Sequence, residues 1–241
     1  MNTVKQYLSD TKTLLYSFLF SLPLFLIYEG LIIISQPSAE QIVRISVDVW
    51  IKTIFTSLGV NAVSFSLLVV LLAGIIILYK ERERLRTLNF KYFPALLVES
   101  AIYGVIVAFI SSTLTTALLN MSATNPIEEL TYLQKLALSL GAGLYEELFF
   151  RVFLVSILIL LFNKLFNNKK WASISAAVVL SAFLFSAVHY TGSMGDLFTL
   201  NSFLFRFIFG LILNGIYVAR GFGVAAWTHA LYDVMVITFY Q

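Results

Sequence analysis

Apolar runs long enough to cross a lipid bilayer recur along almost the whole chain, and this recurrence decides what it can fold into. The runs fall at 13–35, 53–79, 93–119, 139–162, 172–190, 198–219 and 222–240. A helix rising about 1.5 Å per residue needs about 20 apolar residues to cross a hydrocarbon core of about 30 Å. Backbone groups in lipid must be satisfied within their own segment or in a closed barrel, and these runs lack the strict alternation of barrel strands. The expected fold is therefore all-α: a polytopic transmembrane bundle of about seven spans, with residues 1–241 forming a single integral membrane domain. Charge agrees with this, since only 12% of the 241 residues are charged and 59% are hydrophobic. An average soluble domain is about 25% charged, so this chain has too few charges to cover a water-facing surface.

The first run follows Lys5 and Lys12 but is too long for a signal-peptide core and is not followed by a small-residue cleavage pattern, so it reads as a retained span. The chain has no cysteine, which removes disulfides, thiolate nucleophiles and cysteine-ligated zinc. Its net charge of +3 does not point to nucleic acid, because the basic residues sit between spans and report orientation. Lys5, Lys12, Lys80, Arg82, Arg84, Arg86, Lys91, Lys164, Lys169, Lys170 and Arg220 fall on one side, against Arg44, Lys52 and Lys135 on the other. The positive-inside rule then predicts a multi-pass protein of the cell membrane with a cytosolic N-terminus and an external C-terminus.

Two connecting segments have helical character. Over 38–52, Ile42, Val43, Ile45, Ser46, Val49 and Trp50 oppose Glu40, Arg44, Asp48 and Lys52, the pattern of an amphipathic interfacial helix. Segment 126–138 opens with Pro126 and places Glu128 and Glu129 in a first helical turn, a plausible start. Pro23 permits a kink in the first span, and Pro94 suits the entry of the third.

Ionisable residues inside the spans carry the functional signal, because each costs roughly 2.5–3.5 kcal/mol at a helix centre unless it is paired or hydrated. The fourth span contains Glu146, Glu147 and Arg151. Glu147 and Arg151, four apart, share a helix face and form a natural ion pair, while Glu146 points about 100° away. The two histidines also fall in spans: His189 closes the fifth, and His229 lies four residues before Asp233 in the seventh. An isolated intramembrane His is usually a packing residue, but this constellation on three spans points to catalysis. Glu29, Glu99, Arg206 and Asn214 read as structural support.

Two chemistries use such a set. A carboxylate beside a neutral imidazole can deprotonate water while a second imidazole donates to the developing oxyanion. Alternatively, Glu146, His189, His229 and Asp233 could ligate a divalent metal such as zinc that carries the water. Both lead to hydrolysis. No Gly-x-Ser-x-Gly elbow and no His-Glu-x-x-His pattern occurs in the chain.

Glu-Glu-x-x-x-Arg at 146–151, Phe-x-x-x-His at 185–189 and His-x-x-x-Asp at 229–233 resemble, in that order, the three motifs of the CAAX-processing and bacteriocin-processing protease family (CPBP, or Abi). This family includes the type II CAAX prenyl endopeptidases. Phe209-Gly210, Gly215 and Arg220-Gly221 are also similar to family members, and the resemblance covers about residues 139–235. It implies intramembrane peptide-bond hydrolysis of a peptide or protein substrate at the bilayer. By position, Glu146 would activate water with His189, His229 and Asp233 would hold the carbonyl oxygen, and Glu147 and Arg151 would brace the site. The commoner last motif ends in Asn, which donates a hydrogen bond that ionised Asp cannot. Asp233 thus needs its proton, a role in orienting His229, or a place as a metal ligand. Family members are described both as metalloproteases and as glutamate-dependent proteases. On the charge-derived topology Glu146 lies about 27 Å from the cytosolic Lys164, in the outer half of the bilayer, whereas the prenyl endopeptidases open to the cytosol.

Two other classes use the same residues differently. A non-catalytic receptor, chaperone or peptide-immunity protein would keep the pocket without needing Glu146. A transporter would relay protons through its intramembrane acids, with Glu29 and Glu99 joining the path, and an inverted repeat, its expected sign, is absent from the sequence.

Overall fold

The computed structural model describes residues 3–35, 44, 46–57, 59, 62–119, 130–191 and 195–239. These fold into helices α1 (Thr3–Thr11), α2 (Leu14–Ser35), α3 (Ser46–Thr56), α4 (Ala62–Lys80), α5 (Arg82–Leu85), α6 (Tyr92–Leu119) and α7 (Tyr132–Gly141). α7 continues through two π-helical stretches, Ala142–Glu146 and Leu148–Val155, into α8 (Ser156–Leu165), followed by α9 (Lys170–Val188), α10 (Leu200–Arg220) and α11 (Phe222–Phe239). No strand occurs among the described residues.

Six stretches among the described residues are long and apolar enough to span a membrane: Leu14–Ser35, Tyr92–Leu114, Tyr132–Leu165, Lys170–Val188, Leu200–Arg220 and Phe222–Phe239. The chain is an all-α, multi-pass membrane protein. The expected run at 53–79 is divided between α3 and the 19-residue α4. The fourth span is longer than expected and opens with a capping box: Thr131 accepts from the Gln134 N–H while the Gln134 side chain accepts from the Thr131 N–H. Pro126, Glu128 and Glu129 lie outside the described residues, as do 38–43 and 45 of the other interfacial segment.

That segment differs from expectation in its polar face. Val49 and Trp50 are exposed, as an interfacial helix requires, but Asp48 and Lys52 are buried. Charges on one face of a short helix find partners here in the protein rather than in water. Lys52 Nζ lies 2.6 Å from Glu29 Oε1 and 2.9 Å from Asp48 Oδ1, Arg44 lies 2.8 Å from Asp48, and Tyr28 donates to Asp48 at 2.6 Å.

A helix pair in lipid gains little from the hydrophobic effect and must pack closely or share polar contacts. α9 does both. Its buried face carries Ser173, Ala177, Ser181 and Ala182, and Gly210 on α10 sits where a Cβ would lie 3.3 Å from the Ala182 Cα. Ser181 donates to the Phe150 carbonyl, Ser186 to that of Phe203, and Asn214 on α10 to that of Val178. α11 lies against α2, α6, α7 and the first π stretch. Gly143 makes that last contact possible, since a Cβ there would fall 2.5 Å from the Ala226 carbonyl oxygen and 2.6 Å from the Ala230 Cβ.

One end of the bundle is tied by Arg220, which binds Glu99 on α6 at 2.5 Å and the Leu8 carbonyl and Thr11 hydroxyl of α1 at 3.0 and 2.8 Å. Tyr7 donates to Glu99 at 2.6 Å. Burial, and then this bond to a carboxylate, push the Tyr7 phenol well above its ordinary range. Lys12 reaches the Val218 carbonyl at 2.9 Å, so Lys12 and Arg220, which the charge pattern assigned to one side, stand at the same end.

Candidate active site

The widened π-helical turns of the fourth span carry Glu146 and Arg151, with Glu147 between the two stretches. Such turns are rare and cluster at functional sites. The sequence suggested an ordinary α-helix here. Two contacts fall within the widened region: α11 approaches closely at Gly143, and Ser181 donates to the Phe150 carbonyl. Glu147 and Arg151 nevertheless form the expected pair at 3.0 Å, both without solvent exposure.

Glu147 has a second partner that the sequence did not suggest. Its Oε1 lies 2.8 Å from His229 Nδ1 on α11. A carboxylate can only accept, so Nδ1 carries the proton and the ring is held with Nε2 facing the other way. Asp233 Oδ2 stands 3.5 Å from that Nε2. The Asp233 side chain is 27% exposed, where that of Glu147 is fully buried.

His189 is the residue at which α9 ends. Its Nδ1 donates to the Phe185 carbonyl at 2.7 Å, which leaves Nε2 as the acceptor. Its own carbonyl accepts from the Asp196 N–H at 2.9 Å. Arg206 on α10 ties this region to the bundle by an ion pair with Asp196 and hydrogen bonds to Tyr190 and Ser202 at 3.0 and 2.7 Å.

Phe185 brings the halves of the site together. Its ring lies 5.0 Å from the His189 imidazole, 6.2 Å from that of His229, and 4.5 Å from the Arg151 guanidinium. Phe209 closes the other side of His229 at 5.0 Å. Glu146, nearly buried at 7% exposure, lies within electrostatic reach of His189, His229, Asp233 and Arg151. All six residues singled out in the sequence thus meet in one place, across three spans. Phe185 stands four residues before His189 in the motif read from the sequence, but its contacts with Arg151 and His229, and the Glu147–His229 bond, had no short-range signature because those partners lie tens of residues apart.

Among the described residues no group of three or more His, Asp or Glu is placed, as arranged, to hold an ion; the Nδ1 bonds of both histidines leave Nε2 as the ring atom facing other partners.

The fold and site together define a polytopic helical membrane protein with a buried site of paired carboxylates and imidazoles. Residues 128–235 match the family model described as Type II CAAX prenyl endopeptidase Rce1-like. That segment holds every site residue, and the family so described is the one that the three motifs resemble. No curated protein and no solved structure matches the chain.

Proposed function

We propose that the protein is an intramembrane endopeptidase that hydrolyses a peptide bond of a membrane-associated peptide or protein. The observation that supports this reading is a nearly buried carboxylate, Glu146, within electrostatic reach of two imidazoles whose tautomers are set by other partners. A structural ion pair would account for Glu147 and Arg151 but gives no role to Glu146, His189 and Asp233.

In this mechanism Glu146 removes a proton from a water molecule, with His189 Nε2 as the second acceptor that orients it. The water oxygen attacks the substrate carbonyl carbon, and the electron pair moves onto the carbonyl oxygen. One proton shared between His229 Nε2 and Asp233 then serves as the donor to that oxyanion. Glu147, itself held by Arg151, keeps the His229 ring in place. Collapse of the intermediate breaks the C–N bond, and the leaving nitrogen takes the proton from Glu146. Because Asp233 reaches Nε2 and cannot donate when ionised, it works here by keeping that proton in the site.

The substrate class is a peptide presented at the bilayer; prenylated peptides, leader peptides and transmembrane segments all meet that description. We place the N-terminus in the cytosol and the C-terminus outside, on the distribution of Lys and Arg, and read the chain as a single membrane domain. The test is cleavage of a peptide library by detergent-purified protein, comparing wild type with Glu146→Ala and His189→Ala at matched folding, with and without a chelator. Loss of cleavage in both variants supports the reading, and inhibition by the chelator would transfer water activation to a divalent metal such as zinc. Wild-type inactivity towards every peptide, with both variants still functional in cells, would favour a non-catalytic receptor, chaperone or immunity protein.

A further inference from the structure

Tyr145, next to Glu146, points into a different environment from its neighbour. Its hydroxyl donates to Glu29 Oε1 on α2 at 3.0 Å, and its ring packs edge-on to Tyr28 with centroids 5.4 Å apart. Lys52 Nζ on α3 sits 5.5 Å from the same ring and shares Glu29 Oε1 at 2.6 Å. Glu29, Lys52, Asp48 and Arg44 form a buried cluster with two charges of each sign. Apart from Tyr145 the cluster is built from residues outside the 128–235 segment.

Replacing a buried ion-pair network with apolar side chains is often neutral or stabilising, so stability alone does not account for four charges packed where α3 meets α2; fixing one arrangement against alternatives is the better-attested use. The arrangement in need of fixing is adjacent. A π-helical turn is a rare register that occurs mostly at functional sites, where the direction of its side chains matters. The direction of Glu146 is set by the rotation of that turn, and Tyr145 is the side chain of the turn that the cluster grips.

We propose that Tyr145 is a positioning residue: its hydrogen bond to Glu29, within the buried Glu29–Lys52–Asp48–Arg44 cluster, sets the rotation of the π turn and so aims Glu146 at His189. The kinetic part of this inference rests on the hydrolytic reading above, but the geometric part does not. Tyr145→Phe keeps the ring and removes only the hydroxyl. Glu29→Asp keeps the charge opposite Lys52 and withdraws the acceptor by one methylene, so it tests the same bond should the first variant fold poorly.

Two readouts separate positioning from mere stability. In peptide cleavage, Tyr145→Phe and Glu29→Asp are expected to lower kcat about tenfold with KM within about twofold. The chain has no cysteine, so Glu146→Cys introduces a single thiol whose reaction rate with a small methanethiosulfonate reports the accessibility of that position. Adding Tyr145→Phe is expected to change this rate at least about fivefold. An unchanged thiol rate overturns the proposal, whether or not kcat falls. A changed thiol rate in a protein that cleaves nothing upholds the positioning role and removes the hydrolytic reading instead.

Discussion

His229 Nδ1 and Glu147 Oε1 lie 2.8 Å apart, joining α11 to the π-helical fourth span across 82 positions of sequence. The same oxygen is 3.0 Å from Arg151 Nη1. One carboxylate therefore neutralises a buried cation and fixes an imidazole, which makes it the hinge of both the site's stability and its chemistry.

Glu147→Gln should accordingly be far more damaging than loss of an ordinary ion pair. It leaves Arg151 charged with no compensating carboxylate in a pocket without exposure, a change that costs about 3–5 kcal/mol. Thermal unfolding in detergent should show a large drop in Tm, part of which Glu147→Gln/Arg151→Met recovers by removing both charges. An unchanged Tm in the single variant would mean that the pair is not formed.

Asp233 stands where Asn would supply a permanent donor. Asp233→Asn is expected to retain cleavage within about tenfold of wild type, whereas Asp233→Ala loses about 10²-fold, the usual worth of an oxyanion donor. In the proposed mechanism the donor is the proton shared with His229, which an amide replaces with a fixed N–H; equal loss of cleavage in Asp233→Asn and Asp233→Ala would place the oxyanion donor elsewhere.

Gly143 and Gly30 should respond oppositely to alanine. At Gly143 the new Cβ would meet the Ala226 oxygen at 2.5 Å and the Ala230 backbone nitrogen at 2.6 Å, whereas at Gly30 nothing lies within 4 Å. Gly143→Ala should destabilise by about 1–3 kcal/mol as helices are forced apart, and Gly30→Ala should stabilise α2 by about 0.5–1 kcal/mol. Unfolding curves of the two variants check both signs.

Tyr7 gives a dependence on pH. Its phenol is pushed up by burial and by the bond to Glu99, so the folded state keeps a proton that the unfolded chain releases near pH 10. The stabilisation is fully present below about pH 10 and is lost as pH rises further. Tyr7→Phe should be less stable than wild type by about 1 kcal/mol at pH 8, with the gap narrowing at pH 11. A gap that widens at high pH would contradict the assignment.

How much of this could be read in the sequence follows from how local each feature is. The spans were legible because crossing a bilayer needs long apolar runs, and Glu147–Arg151 because four residues bring two side chains to one helix face. The π turn was not legible; it lies where α11 packs against Gly143, a contact spanning more than eighty residues. For the same reason the burial of Asp48 and Lys52 was hidden: their partners Glu29 and Tyr28 belong to another helix. His189 and His229 were picked out as rare residues in apolar runs, and Phe185, packed against both rings, shows that they share one site.

The most direct test of the central claim is peptide cleavage in H₂¹⁸O by wild type and Glu146→Gln of equal Tm. The account predicts that wild type releases a fragment with one ¹⁸O in its new carboxylate and that Glu146→Gln cuts at least about 10²-fold more slowly. Cleavage by Glu146→Gln at the wild-type rate would contradict it.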